Sequence, residues 1–171
     1  MFIDECGSNT AMTREHAWAQ RGSRAHEAVP RNRGTVTTII GALTVDGLEA
    51  AMTIEGGTSG EVFAAFVEHV LIPVLKPGDL VVMDNLAAHK TALVRELLRS
   101  AGARPVWLPP YSPEMNPIEL AWAKLKAFIK DCKARSVQAL ELCVAMAMKW
   151  LITPDEAQAW IRHCGYPALP A

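Results

Sequence analysis

The sequence predicts an α/β domain in which a mixed five-stranded sheet carries helices on both faces. Three observations lead there: a β-branched hairpin early in the chain, two short apolar runs bounded by turn signals, and amphipathic stretches of helical period that alternate with those runs and then follow them. The chain has 171 residues, half of them hydrophobic, which suits one domain with a single sizeable core.

Residues 1–6 begin as a strand, and the stretch to Gly34, rich in Arg, Gly, Ser and Asn, reads as a long excursion. Thr35 to Val45 (TVTTIIGALTV) is strand-like, Asp46-Gly47 is a hairpin turn signal, and Leu48 to Ile54 returns antiparallel. Thr58 and Glu61 form a capping-box pattern ahead of a helix whose apolar face is Val62, Phe63, Phe66, Val67, Val70 and Leu71, ended by Pro73 and Lys76-Pro77-Gly78. Asp79 to Asp84 reads as a buried parallel strand, and a helix is expected from about Ala87 to Ser100 with Gly102 as its stop. Arg104 to Leu108 is the fifth strand. Three prolines in Pro109-Pro110-Tyr111-Ser112-Pro113 prevent its continuation. Helices then run from Pro117 through Ile129, from Ser136 to Leu151, and from Thr153, where Pro154 at the first position and Glu156 complete a capping box and Gly165 is the stop.

Composition excludes some classes. Charged residues are 20 % of the chain and the net charge is −1, so gross charge does not mark a nucleic-acid binder, and DNA affinity would have to come from local clustering of Lys and Arg. Cys6, Cys132, Cys143 and Cys164 are scattered without zinc spacing and read as reduced thiols. With no leader pattern and no apolar run of membrane-spanning length, the expectation is a cytoplasmic chain without a membrane partner.

Three carboxylates fall where chemistry is expected on this pattern: Asp4 on the first strand, Asp84 ending the fourth, and Glu119 at the start of the helix after the fifth. Ligands of open α/β sheets gather at the carboxyl ends of strands. Two-metal phosphoryl transfer needs oxygen ligands converging from several elements, and Mg²⁺ or Mn²⁺ suits carboxylates. Each residue alone has a structural explanation: Asp84-Asn85 as a helix cap, Asp4-Glu5 as a solvated strand end, Glu119 as a first-turn acid favoured by the helix dipole. Their joint placement raises the functional reading.

The segments Phe2-Ile-Asp4-Glu5, Val82-Met-Asp84-Asn85 with His89 five residues beyond the Asp, and Leu108-Pro-Pro-Tyr-Ser-Pro-Glu-Met-Asn116-Pro117-Ile-Glu119 resemble the DDE transposases of the bacterial insertion-sequence six-thirty family, a branch of the Tc/mariner superfamily. Thirty-four residues separate Asp84 from Glu119, the spacing associated with that branch. The resemblance implies an RNase H-like fold of the retroviral-integrase type. It implies that Asp4, Asp84 and Glu119 hold two Mg²⁺ or Mn²⁺ ions for DNA strand cleavage and strand transfer, with double-stranded transposon ends and a TA target as partners and a homodimer in the active complex. Full-length relatives carry helix-turn-helix modules upstream, so residues 1–171 are expected to be the catalytic domain alone. A silent remnant that binds DNA or pairs with a full-length transposase is the alternative.

Asn85, His89 and Asn116 belong to the motifs as accessory residues. His89 is expected to face the site, to bond the proline loop, or to be a structural group. Trp122 reads as core rather than a base-stacking platform. For DNA contact the candidates are Lys124, Lys126, Lys130, Lys133 and Arg135, set against one acid, Asp131, with Lys126 and Lys130 near the Glu119 face. The excursion from Arg14 to Arg33 adds five arginines against Glu15 and Glu27; the alternative for any one cation is an ordinary solvated face.

Overall fold

In the computed structural model, which describes residues 1–32 and 34–167, the sheet is built outward from the first strand. β1 (Phe2–Asn9) pairs antiparallel with β2 (Val36–Thr44), which turns through Asp46 into β3 (Gly47–Glu55). The turn requires a residue at φ 121°, and Gly47 accepts that without a Cβ penalty. On its other side β1 pairs parallel with β4 (Leu80–Met83), and β4 pairs parallel with β5 (Arg104–Trp107), so the order is β3-β2-β1-β4-β5. This is the predicted mixed five-stranded sheet, with β1 running to Asn9 rather than stopping at residue 6.

Strand alternation divides the core in two. Phe2, Cys6, Ile39, Leu43 and Val82 face α3 (Ile118–Cys132), α4 (Val137–Met146) and α5 (Pro154–His163). Ile3, Ile40, Ala42, Val81 and Met83 face α1 (Gly60–Phe66) and α2 (Ala92–Ser100). Successive residues of one strand therefore serve opposite layers. Among the described residues no single helix is long and apolar enough to cross a membrane.

Two helix boundaries differ from expectation. Ser59, not Thr58, caps α1 by accepting from Val62 N–H, and past Phe66 the helix widens into a π turn over Val67–Leu71. The helix expected from Ala87 to Ser100 is two pieces, a 3-10 turn over Ala87–Lys90 and then α2, because Thr91 takes extended geometry and caps α2 by accepting from Val94 N–H. That break turns His89 inward, where it is fully buried. The last helix has the predicted box, with Thr153 and Glu156 bonded reciprocally and Pro154 in the first turn.

Candidate active site

The β1–β4 ladder ends at Ile3 opposite Met83, while β1 goes on pairing with β2 as far as Asn9. One residue beyond that last parallel pair, Asp4 and Asp84 stand at the mouth of the split between the strands. Asp4 points to the α3 side, as Phe2 and Cys6 do. Its partner across β2 is Gly41, and a Cβ on Gly41 would lie 2.6 Å from Cη2 of Trp122. The missing side chain lets the Trp122 indole, which is core as expected, seat α3 close to the sheet. Glu119 is one turn upstream of Trp122 on that helix, so the close contact brings it to the same side of the sheet as Asp4.

Asp4, Asp84, Asn85, Asn116 and Glu119 line one cavity of about 510 Å³, walled by Pro109, Pro110, Tyr111 and Pro113 of the proline loop. Burial pushes the Asp4 carboxyl up to about 7, against a backbone hydrogen bond that favours the charge, and the charges of Glu119, Glu5 and Asp84 push the same way. Asp84 is half-exposed and is held below the usual carboxylate range by His89, with burial opposing and the Leu86 N–H assisting. Its Oδ1 accepts from Leu86 N at 2.8 Å and lies 2.8 Å from His89 Nδ1. The His89 N–H is off the line to that oxygen, so this second contact is an ion pair rather than an aligned hydrogen bond. On its far side His89 Nε2 lies 3.0 and 3.1 Å from the two oxygens of Glu5. Burial works against a charge on His89, but Asp84 and Glu5 outweigh it and hold its pKa at about 9.

His89 thus neither lines the cavity nor bonds the proline loop. The loop bond belongs to Asn85, whose Nδ2 donates to Leu108 O while Lys90 donates to its Oδ1. Asn116 is buried, and its Oδ1 has no partner among the described residues. Sequence reasoning missed Glu5. Two adjacent acids on a strand covered on both faces cannot both be solvated, and that is the signal that could have found it.

The five basic candidates divide. Lys124 donates to Leu151 O and Glu156, Lys130 to Glu15 at 2.7 Å, Lys133 to Glu27, and Arg135 to Thr10 O and Met12 O. The contacts of Lys130, Lys133 and Arg135, together with the Arg14–Asp131 pair, strap the 10–32 excursion to the end of α3, while Lys124 ties α3 to the start of α5. Lys126 is near enough to Cys6, on the strand face that carries Asp4, for its charge to oppose the rise that burial gives the thiol pKa. Arg33 lies outside the described residues.

Three carboxylates and an unpartnered amide oxygen from four segments make a set of hard donors that suits Mg²⁺ or Mn²⁺. Among the described residues no three His, Cys, Asp or Glu side chains are drawn into a ready-made metal cluster. The three carboxylates share a cavity rather than a point.

The family described as DDE superfamily endonuclease matches residues 1–141. No curated protein matches the sequence. The fold is similar to the Mos1 strand transfer complex, with a TM-score of 0.68 at 16% identity over 95% of this chain and 49% of that one. It is also similar to the mariner Mos1 paired-end complex with Mg, at 0.67 and 15% identity over 95% of this chain and 52% of that one. A third likeness is to a simian T-cell lymphotropic virus intasome, at 0.55 and 12% identity over 99% of this chain and 56% of that one. The sheet and its flanking helices are therefore the RNase H-like, integrase-type fold. The chain spans about half the length of the Mos1 chains it resembles.

Proposed function

Because the chain belongs to the DDE superfamily endonucleases, we propose that it is the catalytic domain of a transposase of the insertion-sequence six-thirty branch, which cuts and joins DNA. The observation that carries the proposal is that Asp4 on β1, Asp84 just past β4 and Glu119 on α3 line a single cavity. These three would hold two Mg²⁺ or Mn²⁺ ions, which when bound activate water against a phosphodiester and stabilise the departing 3′ oxygen.

The chain's own residues then have separable tasks. Asp4 stands on the central strand, held by its pairing to Gly41 of β2 and by the two β1–β4 pairs immediately before it. Asp84 is engaged at Oδ1, which leaves Oδ2 to the cavity. Glu119 is aimed by the seating of Trp122 on Gly41 and by the proline loop, which Asn85 ties to the end of β4. Lys126 offers a positive charge on the same face for a DNA phosphate, and of the strap residues Lys133 and Arg135 are exposed and Lys130 is half-buried, where a phosphate can compete for them.

The partners we assign are double-stranded transposon ends and a TA target, engaged by two copies of the chain in the cytoplasm. Mos1, of like fold, has been solved as a paired-end complex with a transposon end, which supports this reading. The test is nicking of a linear duplex: Mg²⁺ or Mn²⁺ should support it and Ca²⁺ should not, because Ca²⁺ prefers larger and more flexible coordination. Cleavage that survives EDTA overturns the proposal. DNA binding with no cleavage in any metal favours the silent remnant.

A further inference from the structure

β1 carries two adjacent acids that point to opposite layers. Asp4 faces the cavity, and Glu5 faces the α1 side, where its side chain is only 13% exposed. There Glu5 meets His89, whose ring is fully buried and tilted against Phe63 with centroids 4.1 Å apart. The other edge of the same ring is 2.8 Å from Asp84 Oδ1. The chain Glu5–His89–Asp84 therefore joins β1 to the residue just past the end of β4, where the sheet ladder no longer holds the backbone. Among the described residues, the other contact of the Asp84 side chain is with its own turn, through Leu86 N–H.

We infer that Glu5 is a positioning residue: acting through His89, it fixes the Asp84 carboxylate so that one oxygen is spent on the protein and the other faces the cavity. This rests on the metal-site reading of the cavity. Phe63 sets the plane of the imidazole, Glu5 accepts from Nε2–H, and that bond fixes which nitrogen is presented to Asp84. A ligand's outer partner of this kind orients it, and its loss typically weakens metal affinity by roughly 10–100-fold.

Mn²⁺ binding, followed by the electron paramagnetic resonance signal of the free ion, tests this without reference to turnover. Glu5→Met and Glu5→Gln are both neutral and close in volume, and only Gln keeps an acceptor for His89. Glu5→Met should weaken Mn²⁺ binding by roughly 10-fold or more, and Glu5→Gln should recover most of that loss. Glu5→Met should add nothing further in a chain already carrying His89→Ala, as expected of residues acting in one network. Leu98→Ala, in the same apolar layer, should lower the melting temperature and leave Mn²⁺ affinity unchanged.

If the Met and Gln variants bind alike, the effect is one of charge or of none, and the positioning role is overturned while the metal site stands. If the parent chain binds no Mn²⁺, or Asp84→Asn binds as the parent does, the metal-site reading itself fails and takes this inference with it. Should Glu5→Met not fold, Glu5→Leu makes the same comparison.

Discussion

Asp4 places an acid where the fold resists a charge. It is 8% exposed, and this burial, with the charges of Glu119, Glu5 and Asp84 adding to it, raises its pKa to about 7. Between the ordinary value of 3.8 and about 7 the folded chain keeps a proton that the unfolded chain has released, so stability falls as pH rises through that window. Asp4→Asn removes this cost. In EDTA at pH 8 we expect the variant to be more stable by on the order of 2 kcal/mol, a rise of roughly 4–8 °C in melting temperature, with the difference vanishing below about pH 4. A thermal scan across pH checks it, and a variant that melts at or below the parent at pH 8 contradicts it. Glu119→Gln, which takes a charge from the same cavity, should abolish nicking while leaving the fold and DNA binding intact; cleavage retained by that variant counts against the site.

The elements around the site divide into those readable from the chain and those set by distant contacts. The positions of Asp84, just past β4, and of Glu119, in the first turn of α3, were legible because turn signals and apolar runs fix where a strand ends and a helix begins; Asp4 was legible only as a residue of the first strand, which runs on to Asn9. The inward direction of His89 was not legible, because it depends on Thr91 ending a 3-10 turn inside what reads as one helix. Nor were the partners of the basic cluster, since Lys130 meets Glu15 and Arg135 meets Thr10 across 115 and 125 residues of sequence. The strap makes its own prediction: Lys133→Ala with Arg135→Ala should speed tryptic cleavage at exposed Arg21 and Arg24 and shift the melting temperature little. Unchanged cleavage would mean that these contacts do not hold the 10–32 segment. The seating of α3 makes another. Gly41→Ala forces a methyl against Trp122 and should cost about 1–3 kcal/mol, read by denaturant unfolding.

For the whole molecule, the net charge is −1, and most of the basic cluster on and after α3 is paired within the chain. DNA binding by this chain should therefore be weak, on the order of 10⁻⁴–10⁻⁶ M at physiological salt, nearly indifferent to sequence and steeply weakened by added salt. Titration of two unrelated duplexes at two ionic strengths measures this, and tight selection of one of them would reveal a reading surface elsewhere in the chain. The central claim is narrower: a β1 acid, a post-β4 acid and an α3 acid form one metal site at the split in the sheet. Anomalous diffraction at the manganese edge from crystals soaked in Mn²⁺ tests it most directly. The account predicts density within about 2–2.5 Å of carboxylate oxygens of Asp4, Asp84 and Glu119; manganese bound elsewhere, with those three carboxylates left apart, would contradict it.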